Sequence, residues 1–484
     1  MLLTFFQYLL YLIIFGLFIS FVKKNKRISS NDPPQRHFAL PLLGHLHLLG
    51  DLPHRSLTRM SQRLGQKVIS LWFGDKYTVV VSDPAVIREI WVKNFDNFTD
   101  RGFINSIAIY SGNYNDLAFS DGPLWRKSRG LVSTVFTKTK LKSMNQHLLD
   151  QANQLIQSMK PYQSSNQFFL CKKYFSKYAI NVILKLVVSE EIAYDESVDD
   201  GKMKRLTDPI HAVFKTLGSG SLSDYISVLS PLFYLQNRTF KRKVANIKQF
   251  MRETYDEHIT NLDSENPKDV LDLLILEFGE KNVDQILHIA MDFLLAGSDS
   301  NAGTVEWFCL YMINNPHIQQ KAYDELLVSV GHGNQPELSH RAKTPYLVAI
   351  IREVMRCRPI GPLGLPRVAS EDITVSGYFI PKGTQMIQNI YGVHHDRDYW
   401  EDPQEFRPER FLVDTHSEYW LNFSCGPRNC VGMNLALDVV YLACSAILMN
   451  FKLSSPNTPI DDTEVFGLTI HPKVFPMSLE QRIN

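Results

Sequence analysis

The chain has 484 residues, 44% of them hydrophobic and 11% aromatic, enough for a large buried core. Its formal net charge is +1, so no excess of positive charge argues for nucleic acid as the main partner. The six cysteines (Cys171, Cys309, Cys357, Cys425, Cys430, Cys444) are scattered; they make no disulfide framework and point to a reducing compartment.

The first 22 residues, MLLTFFQYLLYLIIFGLFISFV, carry no charge. As a helix they rise ~33 Å, the thickness of a bilayer core. A cleaved signal peptide would place basic residues before its apolar core, whereas here Lys23, Lys24, Lys26 and Arg27 follow it. Residues 1–22 are therefore expected to be a transmembrane anchor in lipid. The positive-inside rule then leaves the rest of the chain in the cytosol. The sequons at Asn97, Asn237 and Asn422 would stay unmodified there. Residues 23–41 read as a basic linker stiffened by Pro33 and Pro34. Residues 42–484 read as one large domain.

Within that domain, residues 66–82 predict a hairpin turning at Gly74-Asp75. From about 121 to 355 the apolar spacing is mostly helical, with one unusually long segment starting near Val283. Residues 217–243 run from loop-like to apolar and aromatic to basic, and fit a mobile lid, a second membrane contact or an ordinary loop entering an amphipathic helix. The stretch ITVSGYFIPKGTQMIQNIY predicts strand, turn, strand. Residues 431–451 predict a last apolar helix, and Asp438 in its middle favours a buried core helix over a second span. The fold class is mainly α with a smaller β part.

The stretch FSCGPRNCVG, Phe423 to Gly432, holds two cysteines five apart. A metal-bound thiolate must be deprotonated and stabilised by donors. Gly426 and Gly432 allow a tight turn that aims amide N–H groups at a sulfur. The helix that follows favours an anion at its start. Phe423 shields one face, and Arg428 is placed to meet another anion. These features converge on Cys430, while Cys425 has no helix behind it. A zinc site would need a second ligand pair, and a buried apolar role suits the other five cysteines.

FSCGPRNCVG matches the signature F-x-x-G-x-R-x-C-x-G at every fixed position, and the chain resembles the cytochrome P-450 (heme-thiolate monooxygenase) family of the microsomal type. The resemblance implies that fold, with heme b (iron protoporphyrin IX) held between the long central helix and the cysteine-loop helix. It implies Cys430 as the axial iron ligand, Arg428 on a heme propionate and Phe423 against the sulfur. Further segments agree in family order. GPLWRKSRG supplies Trp125 and Arg129, a pair that in the family hydrogen-bonds and meets a propionate. Glu353, Arg356 and Arg410 match a buried charge network that braces the heme loop. Arg367 matches the other propionate-binding residue.

LLAGSDSN resembles the oxygen-activation segment. Gly297 inside a helix costs ~1 kcal/mol against alanine, and room for dioxygen would explain it. Asp299 and Ser300 are expected to act as an acid–alcohol pair that relays protons. Ser300 stands where the family usually has Thr, and Asn301 where a second hydroxyl is common. The pocket is expected to draw on Phe103 to Tyr114, Leu217 to Leu235, Phe293 to Ala296, Gly361 to Leu365 and Gly467 to Thr469, and to be largely apolar.

The implied activity is insertion of one atom of O2 into a lipophilic substrate, an oxidoreductase reaction. No nucleotide-binding glycine loop follows a strand, so electrons are expected from an NADPH-dependent flavoprotein reductase. That partner would dock on Arg126, Lys127, Lys138, Lys140 and Lys142 and share the membrane, by default the endoplasmic reticulum. Alternatives are a heme-thiolate isomerase, dehydratase or peroxide-driven enzyme, and a non-catalytic heme-binding protein.

Overall fold

The computed structural model describes residues 2–35, 37–163 and 167–482, without the side chains of Leu3, Lys138 and residues 234–236. The expected contacts of Lys138 and Leu235 thus lie outside the described residues, as do the outer ends of the expected anchor and domain.

The apolar N-terminus is one helix, Leu2–Asn25. It extends past residue 22 through Lys23 and Lys24. Its apolar side chains face outward almost without exception, and it is long and apolar enough to cross a membrane. The chain that follows is not a free spacer. Lys24 Nζ donates to Leu42 O at 3.0 Å and pairs with Asp75. Ser70 N donates to Pro34 O at 3.0 Å and Ser70 Oγ to Pro33 O at 2.7 Å, which lays the proline segment along the first strand.

The expected hairpin is present: β1 (Val68–Phe73) pairs antiparallel with β2 (Lys76–Val81) about the Gly74-Asp75 turn. β3 (Arg367–Val368) lies antiparallel to β6 (Gln385–Gln388), and β6 lies parallel to β2, giving the order β1-β2-β6-β3. The segment expected as one strand pair instead makes β4 (Ile373–Val375), β5 (Tyr378–Ile380) and β6. β4 and β5 form their own ribbon because the Ser376-Gly377 turn closes it, and β6 leaves to join the larger sheet. Two further ribbons pair β7 (Phe451–Ser454) with β10 (Ser478–Gln481) and β8 (Glu464–Phe466) with β9 (Ile470–Pro472).

The rest is helical. The long central helix, Val283–Asn314, is buried on nearly every side, which is why its sequence is apolar without a clear polar stripe. Helix Cys171–Val188 packs along it, as does the cysteine-loop helix Met433–Asn450. The latter is mostly buried, and its Asp438 pairs with Arg341 at 2.7 Å, in accord with a core helix. Residues 217–243 are largely helical, ending one helix at Ser219 and entering another at Arg238, with Leu222, Val228 and Leu232 exposed between.

One buried ionic cluster holds the end of this scaffold. Glu353 and Arg356 sit one turn apart on helix Pro345–Cys357, both fully buried. Arg356 donates two bonds to the Glu353 carboxylate, at 2.8 and 2.9 Å. Arg410 Nε adds a third at 3.1 Å, and Arg407 N a fourth at 2.9 Å. The remaining Arg356 donors go to the carbonyls of His394, Pro403 and Glu405. Since His394 Nε2 accepts the N–H of Leu421 at 2.9 Å, the cluster is tied to the segment entering the cysteine loop. Removing one partner strands a buried charge. Arg356→Met is expected to lose ~3–5 kcal/mol in urea unfolding; a loss within experimental error would show that the cluster does not brace the fold.

Candidate active site

The loop before the cysteine-loop helix is built on backbone constraints. Gly426 has φ +75°, and a Cβ there would collide with the Trp91 carbonyl, so both conformation and space demand glycine. Asn429 N donates to Gly426 O at 3.0 Å and Cys430 N to Phe423 O at 3.0 Å, closing the turn. Gly432 differs from expectation: its φ is −87°, and a Cβ would meet only Phe136 at an ordinary 3.7 Å. Its contribution is its N–H, which favours the ionised form of the Cys430 thiol.

Cys430 is reachable from solvent at the base of a recess. Burial of the surrounding recess raises its thiol pKa, while the Gly432 N–H and the Arg129 charge pull it back. Cys425 instead packs against the sheet-side core, and Cys171, Cys309, Cys357 and Cys444 are buried. Phe423 is half-buried against Trp420, its ring centroid 5.9 Å away.

Beside the recess lies a concentration of buried positive charge. Arg428 is 8% exposed and stacks over the Trp125 ring at 4.3 Å. It donates to Ser120 O, but its Nε and Nη1 have no partner. Arg367 is 1% exposed, lies over Trp91, and has an unpartnered Nε. A third buried guanidinium, Arg101, donates to the carbonyls of Ala118, Leu365 and Pro366. Burial, and then the neighbouring cations, push Arg428 down to about 8 and Arg367 to about 9. A guanidinium stays charged in proteins, so this group of cations calls for an anionic ligand. The two carboxylates of heme b supply one. The Cys430 sulfur, the glycine-built loop and the unpartnered N–H groups therefore fit that cofactor.

Arg129 is placed differently from the expected Trp125 pairing. Its Nη1 and Nη2 donate to Asn429 O and Oδ1 at 2.9 and 2.8 Å, which supports the cysteine loop from below. The described bonds do not join it to Trp125.

The central helix supplies the opposite wall. From Ile286 to Ile313 it is buried except near Ala296, which is exposed, with Gly297 and Ser300 half-buried. The opening in the wall is thus at Ala296. Gly297 has another reason to be glycine: a Cβ there would collide with Ile183 on helix Cys171–Val188. The close approach of helix Cys171–Val188 thus gives Gly297 a reason for being glycine beside the room for dioxygen expected from the sequence.

Asp299 and Ser300 are not brought together as an acid–alcohol pair. Ser300 Oγ donates to Ala296 O at 2.7 Å, one turn back. The Asp299 carboxylate accepts from Thr469 Oγ1 and from His471 Nε2, the latter at 2.9 Å. Burial opposes its ionisation, but the His471 charge and these two bonds outweigh that and hold it at about 2. One turn before Ala296, Asp292 accepts the N–H groups of Leu117 and Ala118 at 2.8 Å and the Tyr110 hydroxyl at 2.7 Å. That fixes the loop expected to line the pocket onto the central helix. On the other side, Leu468 N donates to Phe214 O at 2.9 Å, which joins the 467–469 turn to helix Gly201–Ser219.

Arg101, Asn429, Asp292 and His471 were missed in the sequence. A lone arginine in FTDRGF or a histidine in LTIHP has no periodic signal; only long-range packing brings them to the site.

A family model described as Cytochrome P450 matches residues 33–478. The chain is 42% identical over 523 residues to "Probable cytochrome P450 519A1" of Dictyostelium discoideum, covering 98% of each. It is 38% identical to "Probable cytochrome P450 508A1" of the same organism, covering 98% of this chain and 99% of that one. Among solved structures it resembles a zebra fish cytochrome P450 with progesterone, at TM-score 0.77 and 28% identity, over 89% of this chain and 99% of that chain.

The loop geometry separates the two glycines. Gly426→Ala is expected to abolish heme retention, read as the Soret-to-protein absorbance ratio, while Gly432→Ala retains most of it. Arg428→Met tests the cationic wall: heme affinity should fall ~10-fold or more while the heme-free protein becomes more stable to urea. A destabilised heme-free variant would contradict the charge argument.

Proposed function

The chain belongs to the cytochrome P450 family, and from that premise we propose a membrane-anchored enzyme that inserts one oxygen atom of O2 into a lipophilic organic substrate. It is a heme-binding oxidoreductase of the monooxygenase class. In this reading the anchor spans the endoplasmic reticulum membrane, the catalytic domain is cytosolic, and electrons come from NADPH through a separate flavoprotein reductase.

Bound heme supplies the binding and reductive activation of dioxygen. The protein's part follows from its own residues. Cys430 holds the iron as thiolate, with the Gly432 N–H and the Arg129 charge favouring the anion. Arg428 and Arg367 neutralise the heme carboxylates and fix the orientation of the ring. Ala296 would leave room beside the bound heme, and the Asp292-clamped loop would shape the substrate side. Asp299, next to Ser300 in the chain, is ionised at rest and is the group that passes protons on in this reading. Apolar substrate is favoured by the composition of the expected pocket segments. A relative solved with progesterone is consistent with such a ligand class. The exposed Arg126, Lys140 and Lys142 flank the cysteine-loop side and suit an acidic reductase face.

The single observation that carries the reading is the pair of buried guanidiniums, Arg428 and Arg367, each with an N–H left without a partner, together with an accessible Cys430. It is tested by the carbon monoxide difference spectrum of the reduced full chain. The expected result is a red-shifted Soret band in wild type that Cys430→Ser loses and Cys425→Ser keeps. Heme bound without that band in wild type would remove thiolate ligation and, with it, the monooxygenase assignment.

A further inference from the structure

The Asp299 carboxylate is the inner end of a chain of titratable groups that reaches the protein surface. Residues 299, 303 and 306 share one helix face, and that face receives the His471 ring from β9. Gly303 makes the seat, since a Cβ there would come within 2.7 Å of the ring. Trp307 Nε1 donates to Ile470 O at 3.0 Å and locks β9 in register with the helix. The ring then bridges two carboxylates: Nε2 lies 2.9 Å from Asp299 Oδ2 and Nδ1 lies 3.6 Å from Glu306 Oε1. Glu306 is 2% exposed, its Oε1 has no hydrogen-bond partner, and it lines a cavity of about 430 Å³. That cavity lies between helices Cys171–Val188 and Gly201–Ser219 and opens beside the exposed Lys204, Asp208 and Lys473. His211 lines it too, with Nε2 3.9 Å from Asp299 Oδ1.

We propose that His471 is the positioning residue through which solvent protons reach Asp299, entering by way of Glu306 from the cavity between helices Cys171–Val188 and Gly201–Ser219. The proposal rests on the monooxygenase reading, in which Asp299 bears a proton toward the oxygen side. The step moves a proton and no electrons. The Nε2 proton of the imidazolium passes to Asp299 Oδ2, leaving a neutral carboxyl and a neutral ring. The ring, after exchanging tautomer, is recharged by a proton that water in the cavity has delivered to Glu306. The net result is one proton carried from solvent to Asp299.

The resting state is a His471–Asp299 ion pair, so the transfer takes place only as a proton is drawn from Asp299 toward the oxygen side. Burial disfavours the charged ring, but Asp299 and then Glu306 outweigh it and raise His471 to about 10, so the proton is in store at neutral pH. Burial and the Lys172 charge lower His211, which leaves that ring neutral and unable to take the same role. The facing titratable and charged groups are thus Asp299 and Glu306 on the central helix, the neutral His211 on helix Gly201–Ser219 and Lys172 on helix Cys171–Val188.

The test uses the heme-loaded full chain with NADPH and a flavoprotein reductase, comparing wild type, His471→Gln and Glu306→Gln. Peroxide released per NADPH should rise several-fold in His471→Gln and less in Glu306→Gln, and the solvent deuterium effect on NADPH oxidation should change in both. A second readout needs no turnover. A pKa raised by folding stabilises fully below its unfolded value near 6.5 and is lost as pH rises toward 10. The urea-stability gap between wild type and His471→Gln should therefore be constant from about pH 5 to 6.5 and shrink above it. Unchanged peroxide share and isotope effect in both variants, with the carbon monoxide band intact, would overturn the proposal and leave His471 a packing residue. Loss of that band in wild type would instead overturn the underlying reading. If His471→Gln does not retain heme, Glu306→Gln at the cavity decides the question alone.

Discussion

Buried positive charge in the wall of the recess, only partly met by the Asp121 carboxylate, is the constraint on which this structure turns. Arg101, Arg367 and Arg428 are all buried; Arg101 disfavours the charge of the other two, and Arg367 disfavours that of Arg428. Carbonyl oxygens and the aromatic faces of Trp91, Phe95 and Trp125 absorb part of the cost. The unpartnered N–H groups of Arg367 and Arg428 remain. A protein without an anionic cofactor would gain stability by replacing them. Their retention makes sense only if a ligand carrying carboxylates completes the fold, which binds cofactor affinity to folding stability.

The rest of the scaffold keeps that wall and the cysteine loop in register. The loop enters from a segment tied to His394, and His394 is tied to the Glu353–Arg356–Arg410 cluster. It leaves as a helix packed on the central helix. Arg129 holds its midpoint through Asn429. A thiol placed by this many independent contacts needs little reorganisation to meet an iron atom. Ala296, Asp299, Gly303 and Glu306 lie along one side of the central helix, Ala296 opening to the recess and Gly303 and Glu306 meeting β9 and the surface cavity.

Much of this was legible in the sequence because it is local. The cysteine loop, the three-residue spacing of Glu353 and Arg356, the hairpin and the buried last helix are each written in a few adjacent residues. What was not legible depends on partners far along the chain. Asp299 and Ser300 are neighbours in sequence, yet the carboxylate turns to Thr469 and His471, about 170 positions away. Gly297 was readable as glycine needing a reason, but one such reason, Ile183, lies on another helix. Gly432 looked like Gly426 in the motif; only the backbone angles distinguish them. The proline linker read as a spacer because nothing local reveals that Ser70 holds it.

The central claim is that Cys430, presented by this loop, carries the iron. X-ray absorption at the iron edge of the ferric full chain measures it most directly. The account predicts one sulfur neighbour in wild type, retained in Cys425→Ser and absent from Cys430→Ser. A sulfur neighbour that survives in Cys430→Ser, or an iron with only nitrogen and oxygen neighbours in wild type, would contradict it.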